Sequence, residues 1–135
     1  MGPVSANAPL SAAIDSFGDS FIGQRFRTAT NAFPAFCHDW QDKLMERTQY
    51  NIERISWHVD DHGMETGTYL GYSTISSCTT KLSRGGIPIG KLTYQEINYS
   101  LSGKTLDEAK HATPMQTGVM NTLEIFRWDQ THWLY

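Results

Sequence analysis

The stretch EIFRWDQTHWLY, residues 124–135, decides the fold that the sequence predicts. Phe126 and Trp128 precede the triplet DQT, and Trp133 and Tyr135 follow it. Turn-forming polar residues between two aromatic-rich runs are typical of a β-hairpin. Aromatic pairs across such a hairpin contribute roughly 0.2–1 kcal/mol each relative to alanines. We therefore predict that this segment is a hairpin whose aromatic side chains are part of the core.

The residues before this hairpin also alternate as strands do, starting near residue 50. The alternation and the content of Thr, Tyr, Ile and Val predict four further strand segments, IERISWHV (52–59), METGTYLGYSTIS (64–76), GKLTYQEINYSL (90–101) and GVMNTLEIFRW (118–128). DDHG (60–63) and SRGGIP (83–88) separate them as a turn and a loop. TLDE (105–108) fits a capping box, which predicts a short helical turn before Pro114.

Apolar residues before residue 50 recur at helical spacing instead. Three stripes predict two or three short helices, namely Leu10, Ile14, Phe17 and Phe21; Ile22, Phe26, Ala29 and Phe33; and Phe36, Trp40 and Leu44. Pro34 is expected to end the second helix. Asp39, Asp42, Lys43 and Glu46 are expected to face outward from the third.

Helices followed by hairpin-connected strands favour an α+β fold, with the N-terminal helices packed on an antiparallel sheet. The length of 135 residues fits a single domain over 1–135, with residues 1–8 as a flexible N-terminus.

Composition and charge exclude several classes of function. The formal net charge is −3 and no basic run occurs, so the chain has no electrostatic footprint for nucleic acid. No apolar run approaches 18 residues, which predicts no membrane span.

The cysteines and the start of the sequence predict a compartment. MGPVSANAPL lacks the features of a signal peptide, which favours a cytoplasmic location. We interpret Cys37 and Cys78 as reduced thiols in that compartment. A disulfide between them is the alternative, and it would favour a secreted or effector-associated protein.

The order of these elements resembles the NTF2-like superfamily of cone-shaped, cystatin-like α+β domains. The most specific piece is the closing hairpin, E-x-F-x-x-D-x-x-x-W at 124–133, and ETGTYLGY resembles the long second strand of the family. The small strand pair that members often carry between their helices is not found here. The resemblance implies a strongly curved sheet around a pocket that binds a hydrophobic or polyketide-like compound. Because members include isomerases, cyclases, dehydratases and non-catalytic dimerisation modules, the resemblance leaves catalysis open.

Three polar residues within the predicted strands are candidate catalytic groups. Tyr94 and Glu96 lie two residues apart and therefore share one face of a strand, while Glu124 lies in the next strand. If both carboxylates face a pocket, burial raises at least one pKa, as an isomerase or cyclase base requires. Tyr94 could then donate a hydrogen bond to an enolate oxygen. In the alternative, both glutamates face solvent or pair with Arg54 or Arg127.

Trp40, Trp57, Tyr69 and His58 are the predicted ligand contacts. His58 also opens the cluster H-x-D-D-H, whose histidines and carboxylates suit a metal in principle. Since the cluster spans a predicted turn, where polar residues are expected anyway, we predict no metal and no cofactor.

Apolar residues on both faces of two strands predict a homodimer. Leu92 and Tyr94 lie opposite Ile97 and Tyr99, and strands that are apolar on both sides need cover on both. Leu123 and Ile125 stand in the same relation to Phe126 and Trp128. Dimerisation through a sheet face would supply the cover, and a β-bulge that swaps the faces midway is the alternative. The functional hypotheses are therefore a small-molecule pocket and a non-catalytic interaction module.

Overall fold

The computed structural model describes residues 21–134 as helices and strands joined by short loops. Their bounds are α1 (Phe21–Glu53), β1 (His58–Val59), β2 (Glu65–Tyr72), β3 (Ser77–Leu82), β4 (Pro88–Gly103), α2 (Leu106–His111), β5 (Met115–Trp128) and β6 (Trp133–Leu134). The α+β class is thereby confirmed. No helix within 21–134 is long and apolar enough to cross a membrane.

The strands form a sheet in the order β1-β2-β4-β5-β6, with β3 also pairing with β4. β2 is antiparallel to β4 along its whole length, from Glu65 opposite Gly103 to Tyr72 opposite Glu96. β1 on β2 and β6 on β5 are antiparallel as well. The sequence therefore predicted the antiparallel sheet correctly but missed β3, and it predicted a longer β1, because the helix runs on to Glu53.

α1 is one continuous helix of 33 residues, so the prediction that Pro34 ends a helix is wrong. A proline inside a helix costs about 3 kcal/mol, because it removes a backbone hydrogen bond and crowds the preceding turn. Ala29, Phe33 and Cys37, on either side of Pro34, are all buried. Packing of this apolar stripe outweighs the local cost, since helices in proteins are stabilised mainly by such packing. The predicted stripe from Leu10 to Phe17 lies outside the described residues.

The chain divides into two compact units, which are described separately below. Unit 1 contains residues 21–37, 77–92 and 124–134, and unit 2 contains residues 38–76 and 93–123. α1, β4 and β5 each contribute residues to both.

Aromatic side chains from α1 and the closing hairpin form the core of unit 1. Trp128 and Trp133 are partners in the β5–β6 ladder and are 3% and 5% exposed. The ring centroid of Phe33 lies 4.7 Å from that of Trp133, and the Trp133 indole N–H donates to the carbonyl oxygen of Ala29 at 3.1 Å. The prediction of a buried aromatic hairpin is confirmed for residues 124–134.

The turn of this hairpin is held by one carboxylate. Oδ1 of Asp129 accepts hydrogen bonds from the backbone N–H groups of Thr131 and His132, at 3.1 and 2.9 Å. These N–H groups, chiefly that of His132, lower the pKa of Asp129. Gln130, between Asp129 and Thr131, has φ = 93°, a conformation that residues with a side chain seldom adopt and that costs on the order of 1–3 kcal/mol.

β4 buries apolar residues from both of its faces within a single chain. Burial alternates on even positions as far as Tyr94 and then shifts to odd positions at Ile97 and Leu101. A shift of one residue is what a β-bulge produces, so this burial pattern is compatible with the bulge alternative for β4. On β5, by contrast, Leu123 and Ile125 are exposed while Phe126 and Trp128 are buried.

The two local signals in unit 2, the DDHG turn and the TLDE capping box, are confirmed. Gly63 has φ = +77°, as the DDHG turn requires, and Thr105 caps α2 by accepting a hydrogen bond from the Glu108 backbone N–H at 3.1 Å. Gly67 and Gly71 lie under neighbouring rings. A Cβ on Gly71 would lie 2.8 Å from the Tyr99 ring, so these glycines mark close approach.

Cys37 of α1 and Cys78 of β3 form a disulfide within unit 1. The interpretation of two reduced thiols is therefore wrong for this structure. The two residues meet because β3 lies next to α1, and the spacing of the cysteines in the sequence does not reveal this neighbourhood.

Reduction of this disulfide is expected to destabilise the protein. The bridge closes a loop with a sequence separation of 41, for which loop-closure entropy corresponds to about 3–4 kcal/mol. Urea unfolding with and without dithiothreitol measures the loss. The double variant Cys37→Ser/Cys78→Ser is the control and should not respond to reductant. An equal free energy of unfolding for the oxidised and reduced proteins would contradict the assignment.

Candidate functional site

A pocket of about 640 Å³ lies within unit 2, in the size range of small-molecule sites. Successive turns of α1 form one wall of the pocket, and β2 and β4 form the other. The lining residues are Trp40, Lys43, Leu44, Glu46, Arg47 and Tyr50 of α1, Tyr72 of β2, and Tyr94 and Glu96 of β4.

The strand wall follows from the pleat and the register. Tyr94 and Glu96 are two residues apart, so they share a face of β4 as predicted. Tyr72 is opposite Glu96 in the β2–β4 ladder. The Tyr72 and Tyr94 rings meet edge to face with centroids 6.0 Å apart, a favourable geometry for aromatic pairs.

Polar side chains of α1 fix the chain that carries Tyr72. Thr48 Oγ1 accepts from the Tyr72 backbone N–H at 3.1 Å, and Asn51 Nδ2 donates to the Leu70 carbonyl at 2.8 Å. Gln41 Oε1 accepts from the Ile75 backbone N–H at 2.7 Å. Thr48 follows Gln41 by seven residues, about two turns, and Asn51 follows Thr48 by three residues, about one turn, so the three form a polar stripe on one helix face. Because each bond satisfies a backbone group in the last residues of β2 or just beyond its end, the stripe holds this pocket wall in place.

The helix wall carries charge as well as aromatic surface. Lys43 and Arg47 are one turn apart, with Glu46 beside them. The Arg47 guanidinium carbon lies 5.4 Å from the centroid of the Tyr50 ring, a cation–π distance. Among residues 21–134, no carboxylate lies within ion-pair distance of Arg47. The pocket therefore offers a cation together with aromatic faces.

The pocket brings together three of the seven residues predicted from the sequence. Tyr94, Glu96 and Trp40 line it. Glu124, the third proposed catalytic group, lies in unit 1 and is not part of this lining. The predicted trio of Tyr94 and two carboxylates stays a prediction.

The other three predicted ligand contacts have different neighbours. Tyr69 stacks on Tyr99 with ring centroids 5.0 Å apart, and burial, followed by the influence of Tyr99, raises its pKa. Trp57 packs against Gly67, whose added Cβ would lie 2.9 Å from its ring. His58 is exposed on β1. None of the three lines the pocket.

The H-x-D-D-H segment acts as a turn in this structure. Asp60 Oδ1 accepts from the backbone N–H groups of His62 and Met64, both at 2.9 Å. These bonds, that from Met64 first, lower the pKa of Asp60. The grouping of ligand-type side chains that the described residues do show is His38, Asp39 and Asp42, all exposed, with His38 Nδ1 3.6 Å from Asp42 Oδ2.

Sequence reasoning missed the cationic side of the pocket. Lys43 and Glu46 were expected to face outward, and both are indeed exposed, but they line the open side of the cavity. The spacing of Lys43, Arg47 and Tyr50, at i, i+4 and i+7, places them on one helix face and could have suggested a shared surface.

Comparison with protein-family models, curated proteins and solved structures finds no match to this chain. The resemblance to NTF2-like proteins consequently stays a prediction, and the argument for function depends on the geometry of the site.

Proposed function

We propose that the pocket of unit 2 binds a small aromatic or otherwise apolar molecule that carries an anionic group. The observation that carries this proposal is the combination of the Arg47 guanidinium, which has no ion-pair partner among the described residues, with the aromatic walls. An apolar ring packs on Trp40, Tyr72 and Tyr94, and its anionic substituent reaches Arg47. The proposed ligand is hydrophobic, like the one predicted from the sequence, and in addition it carries a negative charge.

Binding is proposed without catalysis. A carboxylate base next to a tyrosine donor is a usable pair for proton abstraction, and Glu96 with Tyr94 supplies one such pair. The isomerase or cyclase hypothesis, however, used a second carboxylate, Glu124, that does not line the pocket. The NTF2-like cone would place a pocket against the sheet, so that family prediction is compatible with this proposal and is not required by it.

The cytoplasmic location stays a prediction. The Cys37–Cys78 disulfide is the observation against it, because reducing compartments keep most thiols free.

Binding is tested with 2-naphthoate as the anionic probe and 2-naphthamide as its neutral counterpart. Substitution Arg47→Gln should weaken naphthoate binding by about tenfold or more, since a hydrogen bond to a charged group contributes roughly 1.5–3 kcal/mol. Naphthamide binding should change little. The measurement is calorimetry together with the Trp40 indole N–H resonance.

Arg84→Gln is the matched control, because it removes the same charge from an exposed loop of unit 1. Two outcomes would contradict the proposal. One is equal naphthoate affinity in Arg47→Gln and the parent protein. The other is saturable binding that leaves the Trp40 resonance unmoved.

A homodimer is the second candidate function, favoured by exposed apolar residues on β5. Within unit 2, Met115, Val119 and Leu123 are spaced by four residues, so they lie on one face of the strand, and each is more than half exposed. Over residues 115–126, β5 has β4 as its only strand neighbour among the described residues. A second copy related by a twofold axis would cover this face with its own identical residues.

The dimer is tested by sedimentation velocity. The parent protein should sediment as a dimer at roughly tens of micromolar, and Val119→Lys/Leu123→Lys should be monomeric, because opposed like charges destabilise a self-complementary interface. Gln116→Lys adds a charge to the opposite face of the same strand and should remain dimeric. A monomeric parent protein would refute this candidate.

A further inference from the structure

Unit 1 contains a second concave site, which we call the Arg25 cleft. It has a volume of about 300 Å³ and is lined by Phe21, Gln24, Arg25 and Thr28 of α1 and by Trp128 and Gln130 of the closing hairpin. All of its lining residues belong to unit 1, so it is separate from the pocket described above.

The guanidinium of Arg25 has no counter-ion among the described residues. The side chain is half-buried, and no carboxylate of residues 21–134 lies within ion-pair distance of it. Its hydrogen bond to the described part of the chain is long, from Nη2 to the Trp128 carbonyl at 3.5 Å. Asp129 follows Trp128 in the sequence, but its Oδ1 accepts hydrogen bonds from the backbone N–H groups of the turn residues Thr131 and His132. An arginine keeps its charge at ordinary pH, so within residues 21–134 this half-buried positive charge has no carboxylate to compensate it.

Two residues that line the cleft each carry a buried donor that has no acceptor among the described residues. Nε of Arg25 and Nε1 of Trp128 are both inaccessible to solvent and have no hydrogen-bond partner in the described chain. Trp128 itself is 3% exposed. Buried N–H groups are nearly always paired in native proteins, and exceptions call for an explanation such as a ligand.

The edge of the cleft is formed by a residue in an unfavourable backbone conformation. Gln130, at φ = 93°, extends the lining, and its side chain makes no hydrogen bond to the described residues. A glycine would be more stable at this φ. Strained residues persist where the structure has a use for them, and they cluster at ligand sites.

From these observations we propose that the Arg25 cleft binds a compact oxyanion, a carboxylate or phosphate group. The planar fork of an arginine presents parallel N–H groups to two oxygens of either anion. The Gln130 amide is a further donor in the lining, and the buried Trp128 indole N–H becomes available to an anion when the side chains that cover it move. The volume is at the lower end of ligand sites, which limits the ligand to a small anion or to the anionic end of a larger one.

The test uses the full chain with ¹⁵N-labelled indoles, which resolves the four tryptophans individually. Sodium benzoate and inorganic phosphate are titrated separately at constant ionic strength, with benzamide as the neutral control. We expect a saturable shift of the Trp128 resonance with at least one of the two anions and no shift with benzamide. Benzoate alone identifies a carboxylate site, phosphate alone a phosphate site, and both together a general oxyanion site.

Variants separate this cleft from a general effect of charge. Arg25→Gln should weaken anion binding by about tenfold or more. Arg84→Gln removes the same charge from an exposed loop and should preserve the Trp128 shift. Arg25→Lys keeps the charge but loses the planar guanidinium, so it should bind the anion with intermediate affinity. If Arg25→Gln fails to fold, the affinity of Arg25→Lys provides the comparison with the parent protein.

Gln130→Gly supplies an independent criterion. Relief of the positive φ should raise the thermal midpoint, while loss of the amide should weaken anion binding severalfold. Stability and affinity should therefore move in opposite directions. The absence of a Trp128 shift at roughly tens of millimolar anion, or an equal shift in parent protein and Arg25→Gln, would overturn the proposal. Because the pocket of unit 2 is monitored through Trp40, failure at one site is distinguishable from failure at the other.

Discussion

The structure of unit 1 depends on burial of Trp133 against α1. Its ring lies against Phe33 and Trp128, and its indole N–H reaches the Ala29 carbonyl across a sequence separation of 104. A tryptophan can be buried at low cost only where that N–H finds an acceptor, so the ring and the hydrogen bond together determine where the hairpin docks. Docking the hairpin also sets the positions of Trp128 and Gln130, and so the shape of the Arg25 cleft.

α1 has a comparable part in each unit. It supplies Arg25 to the cleft of unit 1 and Arg47 to the pocket of unit 2. In both places an arginine without an ion-pair partner among the described residues stands beside aromatic side chains. This residue combination suits anions that carry apolar groups, and it underlies both binding proposals.

The sequence predicted those features that depend on short-range patterns. The closing hairpin followed from DQT between aromatic residues, the α2 cap from TLDE, and the shared face of Tyr94 and Glu96 from their spacing. Pro34 was misinterpreted because the sequence shows the free-energy cost of a proline inside a helix. It does not show the burial of Phe33 and Cys37, which offsets that cost. β3 was missed because SCTTKL is short and four of its six residues are polar.

The site was predictable only in part, for a related physical reason. Trp40, Tyr94 and Glu96 were selected because they are aromatic or polar residues within apolar segments. This pattern can be read from the sequence without knowing which element each segment packs against. Lys43 and Arg47 resemble ordinary surface residues of a helix, and only the tertiary arrangement opposite β4 gives them a pocket to line. The Cys37–Cys78 bridge likewise depends on the approach of β3 to α1, which spacing does not encode.

The most direct test of the structure is equilibrium urea unfolding of Trp133→Ala. Deleting a buried tryptophan side chain should lower the free energy of unfolding by about 3–5 kcal/mol, a large share of the roughly 5–15 kcal/mol typical of a native protein. A variant that unfolds within about 0.5 kcal/mol of the parent protein would behave like one changed at an unremarkable surface position. That result would contradict the central part assigned to the closing hairpin.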